Sequence, residues 1–447
     1  MLCRYNKANM SVKDSFLGRL LGSSEKFSNE QISQTINLLI EHGVKHQASD
    51  IHIEPHGSFV QVRYRIDGML RGMHKLPIAA LNALVAQLKT RAGLNPEDDA
   101  LPQESSFSAQ INDKQISVRV STLPVLGGEK VVLHLTIPRD QPASLEALGF
   151  WGTTLREIQL GLTRQSGFIL VTGPKHAGVP QTLHALVGLL NTPYSSVATV
   201  EDSIEQHIPG VTQTRVHTKT GVSTEAAMRA VLRQDPNVLM VSSLPDTPSA
   251  KFAVHTAATG HVVAAGAFAE SASAGLATLR AMDIEPFLLG SSLTMAIGQR
   301  LIRTLCPDCR ERYILSDPER KEIERSFGVG TAAARRHVHE LEGQALAQGV
   351  GDDKRLSTTL TNLTHAWRPR EHGCETCNHT GFAGQTTISE VITRTEHLQK
   401  AILAPSPTAG ALTVAAIKDG MLPIALDGLI KALRGQTSIE EVLRALA

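Results

Sequence analysis

The chain has no run of apolar residues approaching the ~20 that a membrane-spanning helix needs, which argues against a bilayer-embedded class. The opening stretch MLCRYNKANMSVKD lacks the apolar core of a secretory signal. Aromatic residues are only 4% of the total, so burial must rest on Leu, Val, Ile and Ala. Neither sign of charge is in excess: 44 Lys and Arg face 43 Asp and Glu, for a formal net charge of +1. That balance removes the global electrostatic case for nucleic acid or an anionic membrane as partner. Disulfides are not expected either. Of five cysteines, four fall into two Cys-x-x-Cys pairs, a pattern of metal binding in a reducing compartment, and Cys3 is left as an unpaired thiol. The expected location is the cytoplasm.

What is present is enough apolar residue, 42% of 447, for two to four domains with real cores. Residues 1–30 are polar and irregular and read as a flexible tail. In residues 31–43, Ile32, Ile36, Leu39 and Ile40 recur at helical spacing, with Gly43 as a stop. Period-two alternation follows in Ser49-Asp-Ile-His-Ile-Glu-Pro and again from Phe59 to Ile66, predicting an antiparallel strand pair. A helix near 78–92 and strands at 115–122 and 129–136 complete an expected α+β domain over 31–140.

From about 141 to 305 the pattern changes to short apolar strands separated by helices. Strands are predicted at 168–172, 197–202, 238–241 and 261–265, with a helix at 181–190. That grammar predicts a mainly parallel, doubly wound sheet. Residues 310–372 form a charged, Ala-rich insertion between the cysteine pairs, and the stretch from about 391 reads as helical.

Cys306-Pro-Asp-Cys309 and Cys374-Glu-Thr-Cys377 have the spacing with which two turns grip one tetrahedral zinc ion. Four thiolates with no spare ligand predict a closed, structural site. The stretch Gly173-Pro-Lys-His-Ala-Gly-Val-Pro-Gln-Thr fits the P-loop frame G-x-x-x-x-G-K-[ST] at both glycines. In a working loop, the backbone cradles phosphates, the Lys reaches the β and γ oxygens, and the hydroxyl holds magnesium. Here Val179 stands at the lysine position and Pro180 at the hydroxyl position.

A series of segments then occurs in the order of a known family. Ser49-Asp-Ile-His-Ile-Glu-Pro, Val62-Arg-Tyr-Arg-Ile-Asp-Gly, Arg119-Val-Ser-Thr-Leu-Pro and Gly128-Glu-Lys lead it. Thr199-Val-Glu-Asp, Leu232-Arg-Gln-Asp-Pro, Thr259-Gly-His, Gln299-Arg-Leu-Ile-Arg, the two Cys-x-x-Cys pairs and Thr437-Ser-Ile-Glu-Glu-Val follow. From residue 31 onward the chain resembles the type II secretion and type IV pilus assembly ATPases. The resemblance implies an α/β multidomain fold: an N-terminal α+β domain (31–140), a RecA-like P-loop NTPase domain (141–305), a zinc-knuckle subdomain (306–390) and a C-terminal helical subdomain (391–447). A further N-terminal domain carried by many members is not seen in this sequence, so its docking role is not expected.

The resemblance also implies a nucleotide site built from Gly173, Pro174, Gly178, Thr182, Glu201, Asp202, Asp246 and His261, with Arg63, Arg65 and Arg119 reaching the phosphates. Against the family pattern, Ser243 replaces the catalytic Glu and Phe268 the second histidine. Loss of a group that orients and deprotonates water removes roughly 10²–10⁴-fold of rate. No catalytic residue is therefore assigned. The expected chain is a non-hydrolysing or weakly active subunit, with zinc bound and magnesium-ATP weak or absent. Implied partners are further copies in a hexamer or an active paralogue, and a platform protein at the inner membrane, with no nucleic acid. The rival readings are a working ATPase with unusual residues and a zinc-dependent nucleic-acid binder.

Overall fold

The computed structural model describes residues 27–111, 114–137, 141–216, 221–351 and 363–447. The expected tail lies almost wholly outside them. The chain divides into two compact units, one ending at Arg139 and the other beginning at Asp140.

The first unit opens with the helix Asn29–Lys45, started by a capping box in which Ser28 and Gln31 satisfy each other's backbone N–H groups. Its Ile32, Ile36, Leu39 and Ile40 are all buried. Six strands follow: β1 (Asp50–His56), β2 (Phe59–Ile66), β3 (Met69–Pro77), β4 (Gln103–Ile111), β5 (Lys114–Val125) and β6 (Gly128–Thr136). They form one sheet in the order β3-β2-β1-β6-β5-β4, each antiparallel to its neighbours. Alternation sorts the two faces. Ile51, Ile53, Val62, Tyr64, Val118, Val120, Val131 and Leu133 share one core with the helices Asn29–Lys45 and Leu81–Arg91. Beneath it, fully buried Lys89 donates to Glu129 at 2.7 Å and to the carbonyl of Asp98 at 2.6 Å.

The second unit is built on a seven-stranded sheet ordered β15-β12-β7-β11-β10-β8-β9. The strands are β7 (Gly167–Gly173), β8 (Val197–Glu201), β9 (Thr212–Arg215), β10 (Val238–Val241), β11 (Val262–Phe268), β12 (Leu293–Leu305) and β15 (Phe382–Thr393). All neighbours are parallel except β12 and β15. Successive residues point into different cores: Leu170, Leu239 and Val263 into one, Ile169, Val171, Met240 and Ala264 into the other. Both faces are thus buried, which explains why these strands read as continuous apolar runs.

The insertion 310–372 carries an antiparallel ribbon, β13 (Arg310–Ile314) with β14 (His365–Pro369), and the helices Asp317–Ser326 and Ala332–Ala347. Leu315, Val338 and Leu341 share a core with Leu429 and Leu433 of the helix Ile424–Leu433. Within that region Asp427 takes three hydrogen bonds: from Trp151 Nε1 at 2.5 Å, from the backbone N–H of Ser389 at 2.7 Å and from Lys431 at 2.9 Å. Among the described residues no helix is long and apolar enough to cross a membrane.

Candidate nucleotide site and cysteine cluster

Parallel strands present their carboxyl ends along one edge, where open α/β sheets bind ligands. The glycine-rich loop leaves β7 at that edge and enters the helix Val179–Leu190 through Gly178, whose φ of 80° suits glycine. Gly173 is equally constrained: a Cβ there would meet Ala177 Cβ at 2.4 Å and the carbonyl of Gln299 at 2.7 Å. Gln299 holds the loop from below. Its Nε2 donates to the carbonyl of Ala177, and its Oε1 accepts from Thr182 Oγ1, both at 2.8 Å. Thr182 is therefore buried and committed to the scaffold. Pro174 and Lys175 are exposed at the outer part of the loop.

Val179 turns inward. It belongs to the core under the loop, and its methyls lie where a Cβ on Gly266 (3.1 Å) or Gly173 (3.4 Å) would touch them. Pro180 occupies the first turn of the helix, where its missing N–H costs no helical bond. The loop keeps its fold without the lysine or the hydroxyl.

Glu201 and Asp202 end β8 at the same edge and have different fates. Glu201 is buried and accepts from Thr199 Oγ1 (2.6 Å) and Gln213 Nε2 (3.0 Å), with His184 Nε2 at 2.9 Å. Burial works against its charge, but the bonds from His184, Thr199 and Gln213 outweigh this and keep its pKa below the ordinary glutamate value. Asp202 is exposed and accepts from Ser243 Oγ at 2.7 Å and Ser242 Oγ at 3.2 Å. The Ser243 hydroxyl is thus tied to Asp202. Asp246 caps the helix Thr247–Ala258, accepting from Ser249 N at 2.9 Å.

Phe268 lies opposite Gly173 at the end of β11 and is 70% exposed, so an aromatic ring stands at the mouth of the loop. His261 is not brought to this edge. It precedes Val262, which pairs with Gly167 at the other end of β7, roughly 20 Å of strand away. Sequence reasoning missed His184 and Gln213, which had no motif to announce them; Gln299 and Ser242 sat unweighed inside motif segments.

The three arginines lie on the polar face of the first unit's sheet, each with an acid. Arg63 forks onto Glu54 at 2.7 and 2.8 Å, Arg65 lies 3.0 Å from Asp50, and exposed Arg119 lies 3.4 Å from Glu104. Burial opposes the charge on Asp50, but hydrogen bonds from His134 and Ser49, with Arg65 nearby, hold its pKa at about 2. Glu54, likewise opposed by burial, is held at about 2 by Arg63 and Lys130. Both folded values lie below the unfolded ones, about 3.9 and 4.3. Their stabilisation is therefore present above about pH 4 and lost as pH falls toward 2. Urea midpoints of the first unit's transition are expected to drop steeply between pH 5 and 2, and less steeply in Asp50→Asn.

Cys306, Cys309, Cys374 and Cys377 converge, with all four Sγ atoms within 4.8 Å of one another. Sγ separations are 3.7 Å for Cys306–Cys374, 3.8 Å for Cys309–Cys377 and 3.7 Å for Cys374–Cys377. A Zn–S bond of 2.3 Å in tetrahedral geometry requires sulfurs about 3.8 Å apart. Backbone N–H groups of Cys374 (3.2 Å) and Gly381 (3.1 Å) point at Cys377 Sγ, as a thiolate demands. The donor set fits a closed metal site.

Residues 25–444 match the family model of the type II/IV secretion system proteins. The chain belongs to that family. Type II secretion system protein E of Aeromonas hydrophila is 36% identical over 414 residues, spanning 92% of this chain and 75% of that protein. The type IV pilus assembly ATPase PilB of Thermus thermophilus is 34% identical over 408 residues, 91% of this chain and 42% of that protein. Among solved structures, the ATPase DotB of Legionella pneumophila shares the fold at TM-score 0.63 and 14% identity, covering 95% of this chain and 97% of that one. As a type II/IV secretion system protein, the chain has a mixed α/β fold and a cysteine cluster able to hold metal.

Proposed function

We propose that this protein is a ring subunit of a type II secretion or type IV pilus assembly machine whose nucleotide site does not hydrolyse ATP. The observation that carries this reading is the state of the loop edge. Val179 is packed into the core, Pro180 sits in the helix's first turn, and Ser243 is bonded to Asp202. Lysine, magnesium hydroxyl and catalytic carboxylate are replaced together, while Gly173, Gly178 and the Gln299 support remain. Such a subunit supports or regulates a ring, as a hexamer of itself or mixed with an active paralogue, beside a platform protein at the cytoplasmic face of the inner membrane. The RecA-like domain, zinc-knuckle and C-terminal helical subdomains expected from sequence belong to this reading, as does zinc in the cysteine cluster.

Isothermal titration tests the site. Magnesium-ATP is expected to give weak or undetectable heat, since one lost charge-assisted bond alone costs roughly 1.5–3 kcal/mol. Binding at the low-micromolar level would contradict it. Mixing with an active family member tests the role: co-elution as a larger species is expected, and monomers at high concentration, with and without that partner, would count against it.

A further inference from the structure

We propose that His42, His46 and His74, in the first unit and unconnected with the nucleotide reading, form a second metal site for a divalent ion of the zinc class. His42 and His46 are one turn apart at the end of the helix Asn29–Lys45, the i, i+4 spacing that puts two imidazoles on one face. His74 comes from β3, opposite Val62, beside an irregularity in the register between Val62 and Arg63. Such bulges re-aim a side chain, and this one sets His74 against the helix.

The ring centroids of His42 lie 4.3 Å from His46 and 5.0 Å from His74, with Tyr64 flanking His42 and His74 at 5.3 and 5.9 Å. Two imidazoles bound to one tetrahedral zinc have centroids about 5 Å apart, given Zn–N of 2.0–2.1 Å. The polar atoms are also unspent. His42 Nδ1 and both ring nitrogens of His74 are buried without a hydrogen-bond partner, and such bonds are costly to leave unmade. Tyr64 does not pair with them, and its hydroxyl donates to the carbonyl of Leu39. An ion would satisfy two of these nitrogens at once.

Neutral imidazoles suit zinc, nickel and copper(II). The three rings converge less tightly than the four thiols. Lys45 and Arg71 lie close enough to disfavour a cation. Three neutral ligands beside two positive charges make a site weaker than the cysteine cluster, with its fourth position open to water.

Zinc itself is the probe, on the full chain. After equilibration with low-micromolar free zinc, elemental analysis is expected to find about two zinc ions per chain, falling to about one in His46→Gln and His74→Gln. Added zinc is also expected to raise the melting temperature of the parent more than that of His46→Gln. If His74→Gln does not fold, His46→Gln, altered at the half-exposed ring, decides alone. A parent that takes up only one zinc, or an excess that survives His46→Gln and so belongs to other histidines, overturns the proposal.

Discussion

Replacing Cys374 by Ser is expected to release the zinc proposed for the cluster and unravel the segment around the knuckles, while the first unit stays folded. Structural zinc contributes roughly 10–16 kcal/mol of binding free energy in small domains, and here that energy is local. Cys309 leads directly into β13, and Cys374 closely follows its partner β14, so the cluster closes the ribbon at the base of the insertion. Cys374 is the one cysteine of the four that is not buried, so serine fits in size and the loss is chemical rather than steric. Hydrogen exchange is expected to accelerate across 306–314 and 365–381 and to stay slow in β1, β2, β5 and β6. A metal-free protein with full protection at the knuckles would show that packing alone holds them.

Restoring Val179→Lys with Pro180→Thr is expected to tighten magnesium-ATP binding on the order of 10–100-fold, from the recovered charge-assisted bond and magnesium hydroxyl. The gain has a structural cost. Val179 leaves the core beneath the loop, and Lys must turn outward, costing about 1 kcal/mol or more of packing. The Pro180→Thr change returns a backbone N–H to the first turn, and Gln299 still supports Ala177. Hydrolysis is expected only when Ser243→Glu is added, which also breaks the bond to Asp202 and sets two carboxylates side by side. Binding therefore recovers before turnover. Titration calorimetry and single-turnover hydrolysis on the double and triple variants separate the two steps.

Much of this was legible in the residues. The alternation at Ile51, Ile53, Val60, Val62 and Tyr64 announced β1 and β2 and their buried face, because one-sided burial writes its period into the sequence. The Cys-x-x-Cys spacings pointed to a cluster, and the structure closes it. Other elements left no local mark. β12 runs Gly298-Gln-Arg before Leu-Ile-Arg, and its polar residues are settled by partners far away in the chain: Gln299 by the loop, Arg303 by Glu441. β15, nearly all of it inside the expected zinc-knuckle subdomain (306–390), instead joins the main sheet by antiparallel pairing with β12. The helices of the insertion bury their apolar stripe against Leu429 and Leu433, about a hundred residues on. At the site, Val179, Pro180 and Ser243 were visible as replacements, but where each side chain goes was not. His184 on Glu201, and both serines on Asp202, follow from packing that no spacing rule encodes.

The central claim is most directly tested by steady-state hydrolysis of magnesium-ATP by the purified full chain, alone and with an active family member, against Val179→Lys, Pro180→Thr, Ser243→Glu as positive control. The account predicts turnover by the parent indistinguishable from background and measurable turnover by the triple variant. Hydrolysis by the unaltered chain at the ordinary rate of an active family member, in a preparation free of contaminating ATPases, would contradict it.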